Sequence, residues 1–215
     1  MPLETAQPAK SRKWYAIWWD VWSHPGVTSF KVVINETNMN LTRVFIWLGV
    51  SSVIAALISS LVTSQYLDQS ISTQVLEIFR SWICAIIGAP ISAIIGMVIS
   101  AGICHWVTRL FGGNGKWRDL VSCLSTVMAP STLIGGALGL ISILLIQVLP
   151  IVLLMSLISA VVGIYTIILF VNAIRAAEGI GTGGAIITVL SPIILIGILF
   201  LCIILALIPA YRVIS

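Results

Sequence analysis

From Val121 to Ile174 the chain carries no Asp, Glu, Lys, Arg or His. As one helix, at ~1.5 Å per residue, that stretch would reach ~80 Å. The hydrocarbon core of a bilayer is only ~30 Å thick, so the chain must cross, turn and cross again. Apolar blocks of crossing length lie at 44–63, 83–107, 120–146, 148–174 and 185–209, the third and fourth parted near Gln147 and Pro150. The pattern predicts an all-α fold, a polytopic bundle of five transmembrane helices whose two chain ends face opposite compartments. Pro150 suits the start of the fourth span, because the N–H it lacks is unpaired in a first helical turn anyway. The segment from Ser64 to Ser81, with Asp68, Glu77 and Arg80, reads as a short external surface helix.

Ahead of the first span, Trp14, Ile17, Trp18, Val21 and Trp22 recur at helical spacing, and Pro25-Gly26 ends the run. This predicts an amphipathic helix lying in the membrane interface. Phe30, Val33, Ile34 and Leu41 continue it as a second, weaker surface helix. With Trp19 included, Trp14, Trp18, Trp19 and Trp22 are more tryptophan than anchoring requires, and they are the candidate residues for a partner or membrane interface. The chain divides on this reading into a cytoplasmic tail with its interfacial helix, 1–43, and a five-helix transmembrane region, 44–215.

Composition agrees: 59% of residues are hydrophobic and 8% charged, against roughly 25% charged in soluble proteins. No cleavable signal peptide is expected, since Asp20 breaks the first apolar cluster and the first clean block starts near Val44. Lys10, Arg12, Lys13, Lys31, Arg43, Arg109, Lys116, Arg118 and Arg175 fall on one side of the spans, and Arg80 and Arg212 on the other. The asymmetry puts the N-terminus in the cytoplasm and the C-terminus outside, or in the lumen for a eukaryotic organelle. Because the basic residues flank spans, the net charge of +4 reflects insertion rather than nucleic acid, and the lipid bilayer is the first partner. Cys84, Cys104, Cys123 and Cys202 lack the paired spacing of a zinc or disulfide framework and read as packing residues.

Small residues mark helix-packing faces. Gly88, Ser92, Gly96 and Ser100 stand four apart beside the row Ala85, Ala89 and Ala93, which predicts that the second span sits at the bundle centre, with a dimer or partner interface as the alternative. Ser52, Ala56 and Ser60, and Gly135, Gly136 and Gly139, are further such faces. Pro90, Pro130 and Pro192 lie inside spans, where each deletes a backbone hydrogen bond. Two cytoplasmic loops are glycine-rich. In the first, Gly112, Gly113 and Gly115 precede Lys116 and Arg118, but Trp117 stands where a P-loop has Ser or Thr, and Leu110 where it has its leading glycine. The second, Gly179 to Gly184, has dinucleotide-type spacing but neither the preceding strand nor the later acidic residue. Both read as tight turns. His105 is expected to be an interfacial hydrogen-bonding residue, and Asp119 and Glu178 to be solvated surface partners of Arg118 and Arg175. No catalytic residue, metal ligand or cofactor site is expected.

Trp18 and Trp22 with Pro25-Gly26 and Phe30, Gly112-Gly113-Asn114-Gly115-Lys116-Trp117, Ala129-Pro130, and Tyr165 leading to Asn172-Ala173-Ile174-Arg175-Ala176 occur in an order that resembles the Yip1 domain family. The resemblance covers most of the chain and implies a five-span fold. Eukaryotic members are associated with Golgi and endoplasmic reticulum trafficking and with prenylated Rab GTPases. This chain has a short tail and lacks their Asp-Leu-Tyr-Gly-Pro type of motif, so the resemblance implies a bacterial plasma-membrane member. The expected function is that of a non-enzymatic scaffold, adaptor or stabilising subunit with a protein partner or a second copy of itself. The alternatives are a transporter or channel for an uncharged or apolar solute, and an accessory subunit of a larger energy-converting complex.

Overall fold

The computed structural model describes residues 13–35, 40–63, 71–145 and 149–214, with side chains described at 13–35, 40–60, 79–80, 82–142, 144–145 and 150–198. Its elements are helices: α1 (Trp14–Ser23), α2 (Val27–Asn35), α3 (Leu41–Thr63), α4 (Ile71–Leu110), α5 (Trp117–Leu144), α6 (Leu149–Glu178) and α7 (Thr182–Ile214). Among the described residues, 4 stretches are long and apolar enough to cross a membrane: Leu41–Ser60, Trp82–Leu110, Trp117–Ser142 and Pro150–Glu178. Thr182–Ile198 of α7 is apolar but shorter. Lys10, Arg12, Asp68, Gln147, Cys202 and Arg212, which carry parts of the sequence reading, lie outside the residues or side chains described.

The segment before the second span is not a separate surface helix. α4 runs unbroken for 40 residues, its first part continuous with the span. At ~1.5 Å per residue it is ~60 Å long, about twice a bilayer core, so it extends well past the membrane. The reason is local: from Ile71 to Ile87 there is neither glycine nor proline to stop it. Pro90 is accommodated where Gly49 of α3 makes room, a Cβ on Gly49 standing 3.4 Å from that of Pro90.

α5, rather than α4, occupies the centre. α1, α2, α3, α4 and α6 all pack against α5, and Leu120, Val121, Cys123 and Val127 in its first half are fully buried. α5 and α3 approach closely where Gly136 meets Ala55: a Cβ on that glycine would stand 3.1 Å from the alanine's. α4 is peripheral and turns Ile83, Ile87, Ile91, Ile95 and Ile99 outward. Its packed face is the alanine row continued through Ala85, Met97, Ala101, Cys104 and Thr108. Gly88, Ser92 and Gly96 are exposed and Ser100 is half-buried. Among the described residues no atom lies within 4 Å of a Cβ built on Gly88 or Gly96. Two small-residue rows adjoin on this helix, and the alanine row is the one the chain uses internally.

α1 and α2 join the same core. Ile17 and Val21 of α1 and Phe30 and Val33 of α2 are buried with Val44, Leu48, Leu120, Leu169 and Ile174.

Candidate functional site

α1 ends because Pro25 cannot donate to a continuing helix. Carbonyls at and just past its end need other partners, and α6 supplies two of them. The Tyr165 hydroxyl of α6 donates to the Trp22 carbonyl. Asn172 Nδ2 donates to the Pro25 carbonyl at 2.8 Å, and Ser29 Oγ to that of His24 at 2.8 Å. Arg175 NH1 reaches Asn172 Oδ1 at 3.4 Å and steadies the amide. Tyr165 and Asn172 thus clamp the hairpin made by α1 and α2 onto α6.

The tryptophans divide by role. Trp14 stacks on Trp47 of α3, centroids 4.0 Å apart, and Trp18 meets Trp47 edge-on at 6.0 Å. Trp22 packs against the Tyr165 ring at 5.7 Å. Trp19 is 76% exposed, with Tyr15 beside it at 52%.

The second part of the site joins the ends of α4 and α6. Gly112, at φ 79°, closes α4 with two bonds, Gly113 N–H to the Thr108 carbonyl at 2.9 Å and Gly112 N–H to that of Arg109 at 3.2 Å. This is a Schellman cap, and its left-handed position favours glycine. Gly179, at φ 71°, caps α6 through one bond to the Arg175 carbonyl at 3.0 Å. Gly115 is demanded by proximity: a Cβ there would sit 2.0 Å from the Ala177 carbonyl oxygen.

Glu178 holds these ends together. Its side chain has 0% exposure, and Oε1 lies 2.6 Å from His105 Nδ1. Oε2 accepts the Gly115 N–H at 3.1 Å, and the Glu178 carbonyl accepts that of Asn114 at 3.2 Å. A carboxylate acceptor makes Nδ1 the protonated ring nitrogen, and Nε2 then faces Arg109 NH2 at 3.5 Å. Arg109 NH2 also donates to the Gly115 carbonyl at 3.1 Å. The expectation of a solvated Glu178 paired with Arg175 is corrected: the α6 terminus abuts α4, so the carboxylate is enclosed and its partner is His105. His105 is the hydrogen-bonding residue expected at this boundary, and Asp119 is half-buried in the first turn of α5.

Of the loop candidates, Gly112, Gly113 and Gly115 lie in this junction, while Lys116 and Arg118 are exposed beside it. Glu178 was missed as a site residue. Its one sequence signal was a lone acid four residues past a charge-free span and directly before glycine. Among the described residues no group of three or more His, Cys, Asp or Glu could hold a metal.

Long apolar helices, outward isoleucines and a buried polar junction at one end define a multi-pass helical membrane protein. A family model described as Yip1 domain matches residues 19–204, and the chain belongs to that family. The match starts inside α1, at Trp19, and so takes in the clamped turn and α2. No curated protein and no solved structure matches the chain.

Proposed function

We propose that this protein is a non-enzymatic scaffold or stabilising subunit that holds a partner protein at the cytoplasmic face of a bacterial plasma membrane. α7 supplies the fifth span, with the N-terminus inside and the C-terminus outside. Residues 1–43 then form the cytoplasmic tail and interfacial hairpin, and 44–215 the transmembrane region. The observation that carries the reading is the division of labour in α1: Trp18 and Trp22 are spent on internal packing and Trp14, 39% exposed, stacks on Trp47, whereas Trp19 and Tyr15 stay more exposed on a hairpin clamped by Tyr165 and Asn172. A rigid, aromatic, exposed shelf loses little entropy on binding. Photocrosslinking from position 19 in intact cells tests it. A reproducible protein adduct, weakened when the neighbouring exposed Tyr15 is changed to alanine, is the expected result; adducts to lipid alone would refute the reading.

The cleft between α5 and α6 favours a second reading, passage of an uncharged solute. It encloses about 430 Å³ and is lined by Ser131, Gly135, Gly139, Ser142, Ser159 and Thr166 among others. The hydroxyls of Ser131, Ser142 and Thr166 donate to carbonyls of their own helices, which leaves their oxygens able to accept. Proteoliposome flux that Gly139→Leu abolishes would favour this reading over the scaffold.

A further inference from the structure

The end of α4 carries a cation without a direct carboxylate partner among the described residues, beside exposed apolar side chains. Arg109 stands in the last turn of the span Trp82–Leu110. One of its terminal nitrogens is held, 3.1 Å from the Gly115 carbonyl and 3.5 Å from His105 Nε2. No carboxylate among the described residues lies within 4 Å of it. The nearby acid, Glu178, is enclosed, with one oxygen given to His105 and the other to Gly115 N–H. A guanidinium has five N–H donors in a planar fork. Here one edge is pinned and the remaining donors are open on an exposed residue. Lys116 follows in the chain directly after the carbonyl that Arg109 grips, and it is exposed too.

Trp106, Leu110 and Phe111 in the same turns are 66%, 70% and 45% exposed. An exposed indole such as that of Trp106 favours the boundary between acyl chains and headgroups, and Leu110 and Phe111 follow it in the chain within two turns. We propose that Arg109 and Lys116 bind the phosphate of an anionic phospholipid whose acyl chains lie along Trp106, Leu110 and Phe111. A pinned guanidinium suits a bidentate phosphate contact. A free phosphate would leave the exposed aromatic and aliphatic side chains without a role, which is why the lipid is the occupant. The inference rests on this end of the bundle lying at headgroup level, and neither on the compartment it faces nor on a protein partner.

Native mass spectrometry of the full chain, released from mild detergent with titrated phosphatidylglycerol or phosphatidylcholine, tests it. Wild type is expected to retain phosphatidylglycerol in preference to phosphatidylcholine. Arg109→Gln and Lys116→Gln should each lower that retention about fivefold, the effect of one basic residue at a charged membrane surface. Arg109→Lys should keep part of it, and Arg80→Gln, on the other side of the spans, should leave it unchanged. If Arg109→Gln does not fold, Arg109→Lys and Lys116→Gln decide. Equal retention of the two lipids, undiminished phosphatidylglycerol on the variants, or inorganic phosphate displacing the lipid at equal concentration would each overturn the proposal. Failure to find a protein crosslink from position 19 would leave this measurement untouched, so the two readings fail separately.

Discussion

Replacing Glu178 with alanine should loosen the junction of α4, the 111–116 loop and α6 together. The substitution removes the acceptor for His105 Nδ1 at 2.6 Å and for Gly115 N–H at 3.1 Å. A buried donor left without a partner costs ~1–3 kcal/mol, and two are left here, ~2–6 kcal/mol in all. For a chain of this size, ~2–4 °C is lost per kcal/mol, so the unfolding midpoint should fall by about 4–24 °C. Glu178→Gln should cost less, ~1–2 kcal/mol, because the amide oxygen can still accept from Gly115 and its NH2 can face His105 in the other tautomer, at the loss of the Arg109 contact to Nε2. The assay is fluorescence-detected unfolding in detergent, paired with amide exchange over residues 112–116, where the alanine variant should lose protection. A cycle with His105→Ala should give a coupling above ~0.5 kcal/mol. An alanine variant with an unchanged midpoint and unchanged exchange would show that Glu178 does not join the two helix ends.

Asn172→Ala should free the turn after α1 by removing the 2.8 Å bond to the Pro25 carbonyl, costing ~1–2 kcal/mol and speeding proteolysis near residues 24–26. Gly115→Ala should destabilise by ~1–3 kcal/mol, the usual cost of overpacking, since its Cβ would meet the Ala177 carbonyl; chemical denaturation in mixed micelles measures it. Trp14→Ala should lower the midpoint through loss of the Trp47 stack, whereas Trp19→Ala should stay within ~0.5 kcal/mol of wild type. In a Cys84→Ser background, a cysteine at the exposed Asn114 should react with an impermeant maleimide in inside-out vesicles and not in intact cells. The reverse pattern would invert the proposed orientation.

Much of the architecture was legible from composition along the chain, because lipid forces each crossing to be a long apolar helix and so writes it plainly into residue type. The four apolar stretches in α3 to α6, the turn at Pro25-Gly26 and the helical spacing of Trp14, Trp18 and Trp22 all stand in the sequence for that reason. The glycine loops were legible as turns, since φ 79° at Gly112 and φ 71° at Gly179 restrict the residue type locally.

Which face of each helix looks inward was not legible, because a helix that is apolar all round carries no inside-to-outside period. The choice between the Ala85 row and the Gly88 row on α4, and the placing of α5 at the centre, therefore waited on the fold. So did the partners of Glu178, Tyr165 and Asn172. His105 and Glu178 are 73 residues apart in the chain. Their pairing, and the solvent exclusion that makes it matter, exists only once α6 returns to the end of α4 and the Gly115 loop closes over the carboxylate.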